Sequence, residues 1–163
     1  MKKVIVIGCP GSGKSTFSRA LAEKTGLPLY CLDMMYWNAD RTHVSKEEFG
    51  ERLDAVLGRD SWIIDGNYAS TMEKRLIASD TVIFLDLPRE VCVGGITERQ
   101  GKARADMPWV EAVGEIDREF LEFINKYNSE SRPRVLELLN SHPEKSIYIF
   151  TDRGQLDGFL ETL

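Results

Sequence analysis

Gly8-Cys9-Pro10-Gly11-Ser12-Gly13-Lys14-Ser15 fits the pattern Gly-x-x-x-x-Gly-Lys-Ser/Thr in full, and its flanks decide the fold. Ahead of it, Lys3-Val4-Ile5-Val6-Ile7 is a short apolar, β-branched run that predicts a buried strand. Behind it, Thr16 to Lys24 predicts a helix closed by Gly26 as C-cap. Strand, glycine-rich loop and helix together are the setting in which such a loop holds phosphate. The glycines let several backbone N–H groups turn inward, and the helix N-terminus adds the positive end of its dipole. Gly8, Pro10, Gly11, Ser12, Gly13, Lys14, Ser15 and Thr16 are therefore the expected nucleotide-binding residues. Lys14 would reach the β- and γ-phosphates as a mobile point charge, and the Ser15 hydroxyl would ligate Mg²⁺. The run predicts a chain that binds a nucleoside triphosphate.

The rest of the chain alternates. Leu29 to Leu32, Trp62 to Ile64, Thr81 to Leu85 and Ile147 to Phe150 predict further short strands. Ser45-Lys46-Glu47-Glu48 reads as a capping box opening a helix with Phe49, Leu53, Val56 and Leu57 on one face and Gly58 at its end. Shorter helices are expected over 71–78, from about Glu90, after Pro133, and through Leu156, Phe159, Leu160 and Leu163. Val113, Ile116, Phe120, Phe123 and Tyr127 recur at three-to-four spacing and predict one long helix. Continuously apolar strands between helices imply a parallel sheet covered on both faces, with ligands beyond the carboxyl ends of its strands.

That rule gathers further residues beside the loop. Asp33 and Asp65 each follow an apolar run, where a carboxylate can hold Mg²⁺ through water or accept a proton from an attacking hydroxyl. Asp is also a common turn-former or helix cap after a strand, so the bland reading stands beside this one. Asp86 ends a strand too, but the Leu87-Pro88 that follows favours a plain turn. Arg99, Lys102 and Arg104 fit a basic lid over the triphosphate, with Arg104 favoured because a guanidinium binds phosphate bidentately. Glu98 and Asp106 nearly neutralise that patch, as they would in a solvated loop. Arg132-Pro133-Arg134 either faces the same cleft or is a plain helix junction. Tyr36 and Trp37 line an acceptor pocket or belong to the core, Trp62 is core, and His43 and His142 read as surface histidines.

Bulk properties narrow the classes. At 163 residues the chain is expected to be one domain spanning 1–163. A net charge of −5 argues against a broad nucleic-acid-binding face, which makes DNA an unfavoured partner. Cys9, Cys31 and Cys92 have neither metal-ligand spacing nor an even count and read as reduced thiols of a cytoplasmic protein. No stretch reaches transmembrane length. Nothing in the sequence fixes an oligomeric state or names an acceptor.

Several stretches match a known group in order: Gly8 to Ser15, Leu32-Asp33 with Tyr36-Trp37, Trp62 to Tyr68, Phe84 to Arg89, Arg104 to Met107 and Ser131 to Arg134. Over nearly its whole length the chain resembles the DNA topology modulation protein group of adenylate-kinase-related P-loop proteins. The resemblance implies a three-layer α/β P-loop NTPase fold of nucleoside- or shikimate-kinase type. Its five-stranded parallel sheet would have the order 2-3-1-4-5, with helices on both faces and a small arginine-bearing lid near 99–108. Asp65-Gly66 lies where adenylate kinases carry an Asp-Gly pair, and Asp33 where shikimate and gluconate kinases carry an acceptor-binding Asp. Asp152 and Arg153 lie where such kinases hold adenine. The implied activity is transfer of the γ-phosphoryl group of Mg-ATP to a small-molecule or nucleotide acceptor. Lys14, Asp33, Asp65, Arg99 and Arg104 would be catalytic, Ser15 and Asp65 would hold the metal, and Arg104 and Arg153 would also touch the nucleotide. The alternative is a nucleotide-binding regulator with little turnover, acting on DNA topology as the group's name suggests. One departure is Gly94-Gly95, where the group carries a basic residue; two helical glycines, each costing about 1 kcal/mol, predict a looser and less basic lid.

Overall fold

The structure, a computed structural model, describes residues 1–114 and 118–163. Strands β1 (Lys3–Gly8), β2 (Leu29–Cys31), β3 (Trp62–Asp65), β4 (Thr81–Leu85) and β5 (Ser146–Phe150) form one parallel sheet in the order β2-β3-β1-β4-β5. The helices are α1 (Lys14–Thr25), α2 (Leu32–Tyr36), α3 (Lys46–Leu57), α4 (Ala69–Ala78), α5 (Arg89–Arg99), α6 (Arg118–Lys126), α7 (Arg132–Asn140) and α8 (Arg153–Glu161). A π-helical turn, Tyr127–Ser131, joins α6 to α7. Architecture and strand order are those the sequence led us to expect.

Strand alternation builds the two apolar layers. Val4, Val6, Ile63, Ile83 and Leu85 face one side, against Phe17 and Leu21 of α1, Cys92 and Ile96 of α5, Ile124 of α6 and Leu156 of α8. Ile5, Ile7, Trp62, Ile64, Val82 and Phe84 face the other, against Leu32, Phe49, Leu53, Met72, Leu76 and Leu139 of α2, α3, α4 and α7. Trp62 is fully buried, as expected of a core residue. Ser45 caps α3 by accepting from the Glu48 N–H at 3.1 Å, a contact worth about 1 kcal/mol.

The register positions the site. Val6 pairs with Asp65 and Gly8 with Leu85, so the loop after β1 and the end of β3 emerge side by side at one rim.

Two local expectations are corrected. The second strand stops at Cys31, and Asp33 sits in the first turn of α2, its carbonyl accepting from the Trp37 N–H at 2.9 Å. Leu32-Asp33-Met34-Met35-Tyr36 contains no β-branched residue, so nothing local holds it extended. The long helix through Val113 and Tyr127 is shorter at its described start and changes character at its end. Val113 is 80% exposed and precedes Gly114, whose φ of +147° leaves helical geometry, while Tyr127 opens the π-turn. Ile116 lies outside the described residues. Helices cover both faces of the sheet as expected, and at the edge strand β5, which among the described residues pairs with β4, Tyr148 and Ile149 stay exposed.

Candidate active site

The phosphate-loop residues form a tight turn from β1 into α1. The Ser12 N–H donates to the Cys9 carbonyl at 3.1 Å, and the Lys14 ammonium folds back to donate to the carbonyls of Gly8 (2.9 Å) and Cys9 (3.1 Å). Helix α5 docks its backbone directly on this loop. A Cβ at Gly11 (φ +81°) would lie 2.0 Å from the Cys92 carbonyl oxygen, and one at Gly95 would lie 2.1 Å from the Gly11 carbonyl oxygen. Gly95 is therefore demanded by close approach, whereas Gly94 faces open space. Helix α5 runs unbroken through both.

Next to the loop, the Ser15 hydroxyl donates to Asp65 Oδ2 at 2.6 Å. Asp65 is buried, and its other oxygen, Oδ1, has no hydrogen-bond partner among the described residues. Burial pushes the Asp65 carboxyl up, against the opposing pull of Lys14 and the Ser15 hydrogen bond. Desolvation also draws the Lys14 ammonium down, with Asp65 the main opposing influence. A buried carboxylate with an unused oxygen beside a serine hydroxyl is an oxygen donor set suited to Mg²⁺, which retains several waters. The residues present fit that ion.

Beyond β2, Asp33 Oδ1 accepts from the Tyr68 hydroxyl at 2.8 Å. Tyr68 touches Tyr36 and Phe49, Trp37 meets Tyr36 and Trp109 edge-on, and the His43 ring stacks on Tyr36 at 4.9 Å. Tyr36 and Trp37 thus belong to an aromatic wall beside Asp33. His43 is exposed as expected, yet it extends that wall, bridged to Trp37.

The arginines expected to form a lid meet carboxylates. Arg99 donates twice to Glu111 at 2.7 Å, and its guanidinium lies over the Phe120 ring. Arg104 pairs with Asp106 (3.4 Å) and Glu111 (3.8 Å), and Asp106 also accepts from Arg19 of α1 at 3.3 Å. Asp106 is buried, while Lys102 is exposed. Asp86 is more than a turn residue, because Arg132 grips it with three hydrogen bonds of 2.8–3.0 Å. Arg153 opens α8 at the surface, behind an Asp152 N-cap.

Sequence reasoning gave no role to Asn67, Tyr68, Arg75 or Arg19, and read Asp106 only as a neutralising charge. Asn67 clamps Gly8 reciprocally: the Gly8 N–H donates to Oδ1 at 3.1 Å, and Nδ2 donates to the Gly8 carbonyl at 2.7 Å. Asn67 and Tyr68 belong to the distinctive Trp62–Tyr68 stretch, which was signal enough to ask what they hold. Arg75, one turn from the end of an unremarkable amphipathic helix, carried none.

The sequence matches no family model and no curated protein. Solved structures do share the fold. The shikimate kinase from Bacteroides thetaiotaomicron aligns at TM-score 0.62 with 20% identity, over 98% of this chain and 94% of that one. An unliganded sugar kinase from Janibacter aligns at 0.55 with 18% identity, over 99% and 91%. The shikimate kinase from Acinetobacter baumannii, in complex with shikimate, aligns at 0.65 with 15% identity, over 99% and 90%. The chain has the P-loop fold seen in these small-molecule kinases.

Proposed function

We propose that this protein is a P-loop phosphotransferase that moves the γ-phosphoryl group of Mg-ATP to a small hydroxyl compound or nucleotide. The observation that carries the reading is the convergence of Lys14 with the Ser15–Asp65 pair, 2.6 Å between oxygens, at the rim where a complete phosphate loop enters α1. The loop amides and Lys14 bind the phosphates. Ser15 and Asp65 would hold the metal, which would supply positive charge to offset that of the phosphates. Asp33, held by Tyr68, orients the acceptor hydroxyl and takes its proton. Arg104 and Arg99 would stabilise the migrating phosphoryl group, and Arg153 would contact the nucleotide. Magnesium and ATP are the expected cofactors, and the three free cysteines support a cytoplasmic location. Among the described residues no helix is long and apolar enough to cross a membrane.

One observation favours a second reading, a nucleotide-binding regulator with little turnover: Arg99 is already paired with Glu111, and Arg104 with Asp106 and Glu111. The deciding experiment is ATP consumption with Mg²⁺ across nucleosides, nucleoside monophosphates and small sugar or acid hydroxyl compounds, with Lys14→Ala as control. Acceleration by one compound, lost in the variant, supports the kinase. A flat panel with ATP still raising the wild-type Tm supports the regulator instead.

A further inference from the structure

The turn after β3 reaches two neighbours at once, and strand order explains why. Because β3 lies between β2 and β1, the residues leaving it stand between α2, which follows β2, and the phosphate loop, which follows β1. Adjacent residues divide the task. Asn67 grips both backbone groups of Gly8, while the Tyr68 hydroxyl donates to Asp33.

The turn itself is held in a conformation it would not choose. Gly66 has φ +138°, and a Cβ there would come within 2.9 Å of the Leu32 side chain. Tyr68 has φ +33°, uncommon for any residue with a side chain and harder still for a bulky one. Such outliers persist only where the surroundings overdetermine them, and here the determinant is Arg75. Its fully buried guanidinium donates to the carbonyls of Gly66 (2.9 Å), Asn67 and Tyr68 (3.2 Å), while Nε donates to the Thr71 hydroxyl (3.2 Å). Three successive carbonyls therefore converge on one planar fork, a geometry that Lys, with a single point charge, does not reproduce.

We propose that the Gly66–Asn67–Tyr68 turn, fixed by Arg75, is a positioning device that locks the entrance of the phosphate loop and the acceptor-side carboxylate Asp33 into one geometry. It rests on the phosphotransferase reading for its purpose, since in-line transfer needs donor and acceptor held together. Asn67 acts through Gly8 and Tyr68 through Asp33, while Arg75 acts through the turn that carries both.

The test combines amide hydrogen exchange with calorimetric binding of the magnesium complex of a non-hydrolysable ATP analogue, AMP-PNP. Asn67→Ala is expected to speed exchange of the Gly8–Gly13 amides at least tenfold while Val4–Ile7 are unchanged, and to weaken AMP-PNP binding about tenfold. Asn67→Asp keeps the acceptor for the Gly8 N–H but loses the donor, and should fall between. Tyr68→Phe should speed exchange in α2 and leave both Gly8–Gly13 and AMP-PNP affinity within twofold of wild type. Arg75→Lys should loosen both sides; where it fails to fold, the Asn67 and Tyr68 variants still decide. The proposal is overturned if Asn67→Ala leaves exchange at Gly8–Gly13 at the wild-type rate, or if the variants accelerate exchange uniformly across the sheet. A wild type that does not bind AMP-PNP would sink the phosphotransferase reading, while the exchange pattern would still judge the turn.

Discussion

Asp106 holds Arg104 with 3.4 Å between Oδ2 and Nη1, and the same buried carboxylate accepts from Arg19 through its other oxygen. On the proposed function, an anion clasped by two guanidinium groups competes with the phosphate oxygens those groups would bind. Asp106→Asn removes the competing charge, so binding of Mg-AMP-PNP should tighten by roughly threefold to tenfold, the worth of about 1 kcal/mol per partly exposed ion pair. The gain should shrink as salt rises from about 0.05 M to 0.5 M, because the freed arginines are then screened. Calorimetry at two ionic strengths checks this. Weaker binding by the variant would mean that Asp106 supports the nucleotide site rather than competing for it.

Gly94 and Gly95 are neighbours with opposite requirements. A Cβ at Gly95 meets the Gly11 carbonyl oxygen at 2.1 Å, and backbone cannot yield as a side-chain tip can. Gly95→Ala should push α5 off the phosphate loop, destabilising the fold by about 2 kcal/mol or more and weakening nucleotide binding severalfold. Gly94→Ala has open space and should stabilise α5 by roughly 0.5–1 kcal/mol. Thermal melts of the two variants, with and without AMP-PNP, settle the contrast. Equal behaviour would mean that α5 adjusts freely against the loop.

The same pair shows where the sequence was readable. Strands, order of layers and phosphate loop follow from periodicity and a spacing that one physical purpose explains. Two glycines in a helix, by contrast, read only as a propensity loss, because the reason for Gly95 lies in a loop more than eighty positions away. Asp65 was legible because it ends a buried strand beside the loop; its hydrogen bond from Ser15 spans fifty residues and follows from the β1–β3 register. Asp33 was found for its position, yet its place in α2 was not, since a five-residue helix directly after a three-residue strand is too short to show a period. The lid's internal pairing was half legible: Asp106 was noticed as a neutralising charge, but Glu111 lay beyond the segment considered as lid.

Asp65 also predicts how stability varies with pH. Its folded-state pKa is raised, chiefly by burial. Between the ordinary carboxyl value of about 3.9 and that raised value, the unfolded chain has released the proton while the folded chain still holds it. Stability from this group is therefore greatest below about pH 4, falls as pH climbs through the window, and stays lower above it. Asn does not titrate, so Asp65→Asn should melt close to wild type near pH 4 and above it at pH 7, by about 1 kcal/mol. Loss of the carboxylate also deprives Lys14 of its partner and offsets part of that gain. Comparing Lys14→Met with Lys14→Met/Asp65→Asn removes the complication, and there the gap should widen more clearly with pH. A gap that stays flat from pH 4 to 7 would show that the folded protein ionises Asp65 as readily as the unfolded chain does. In the widening case the price of a buried, half-satisfied carboxylate is visible without nucleotide. The same substitution should then weaken Mg-AMP-PNP binding at least tenfold, which would tie the instability to the metal-holding role proposed for this carboxylate.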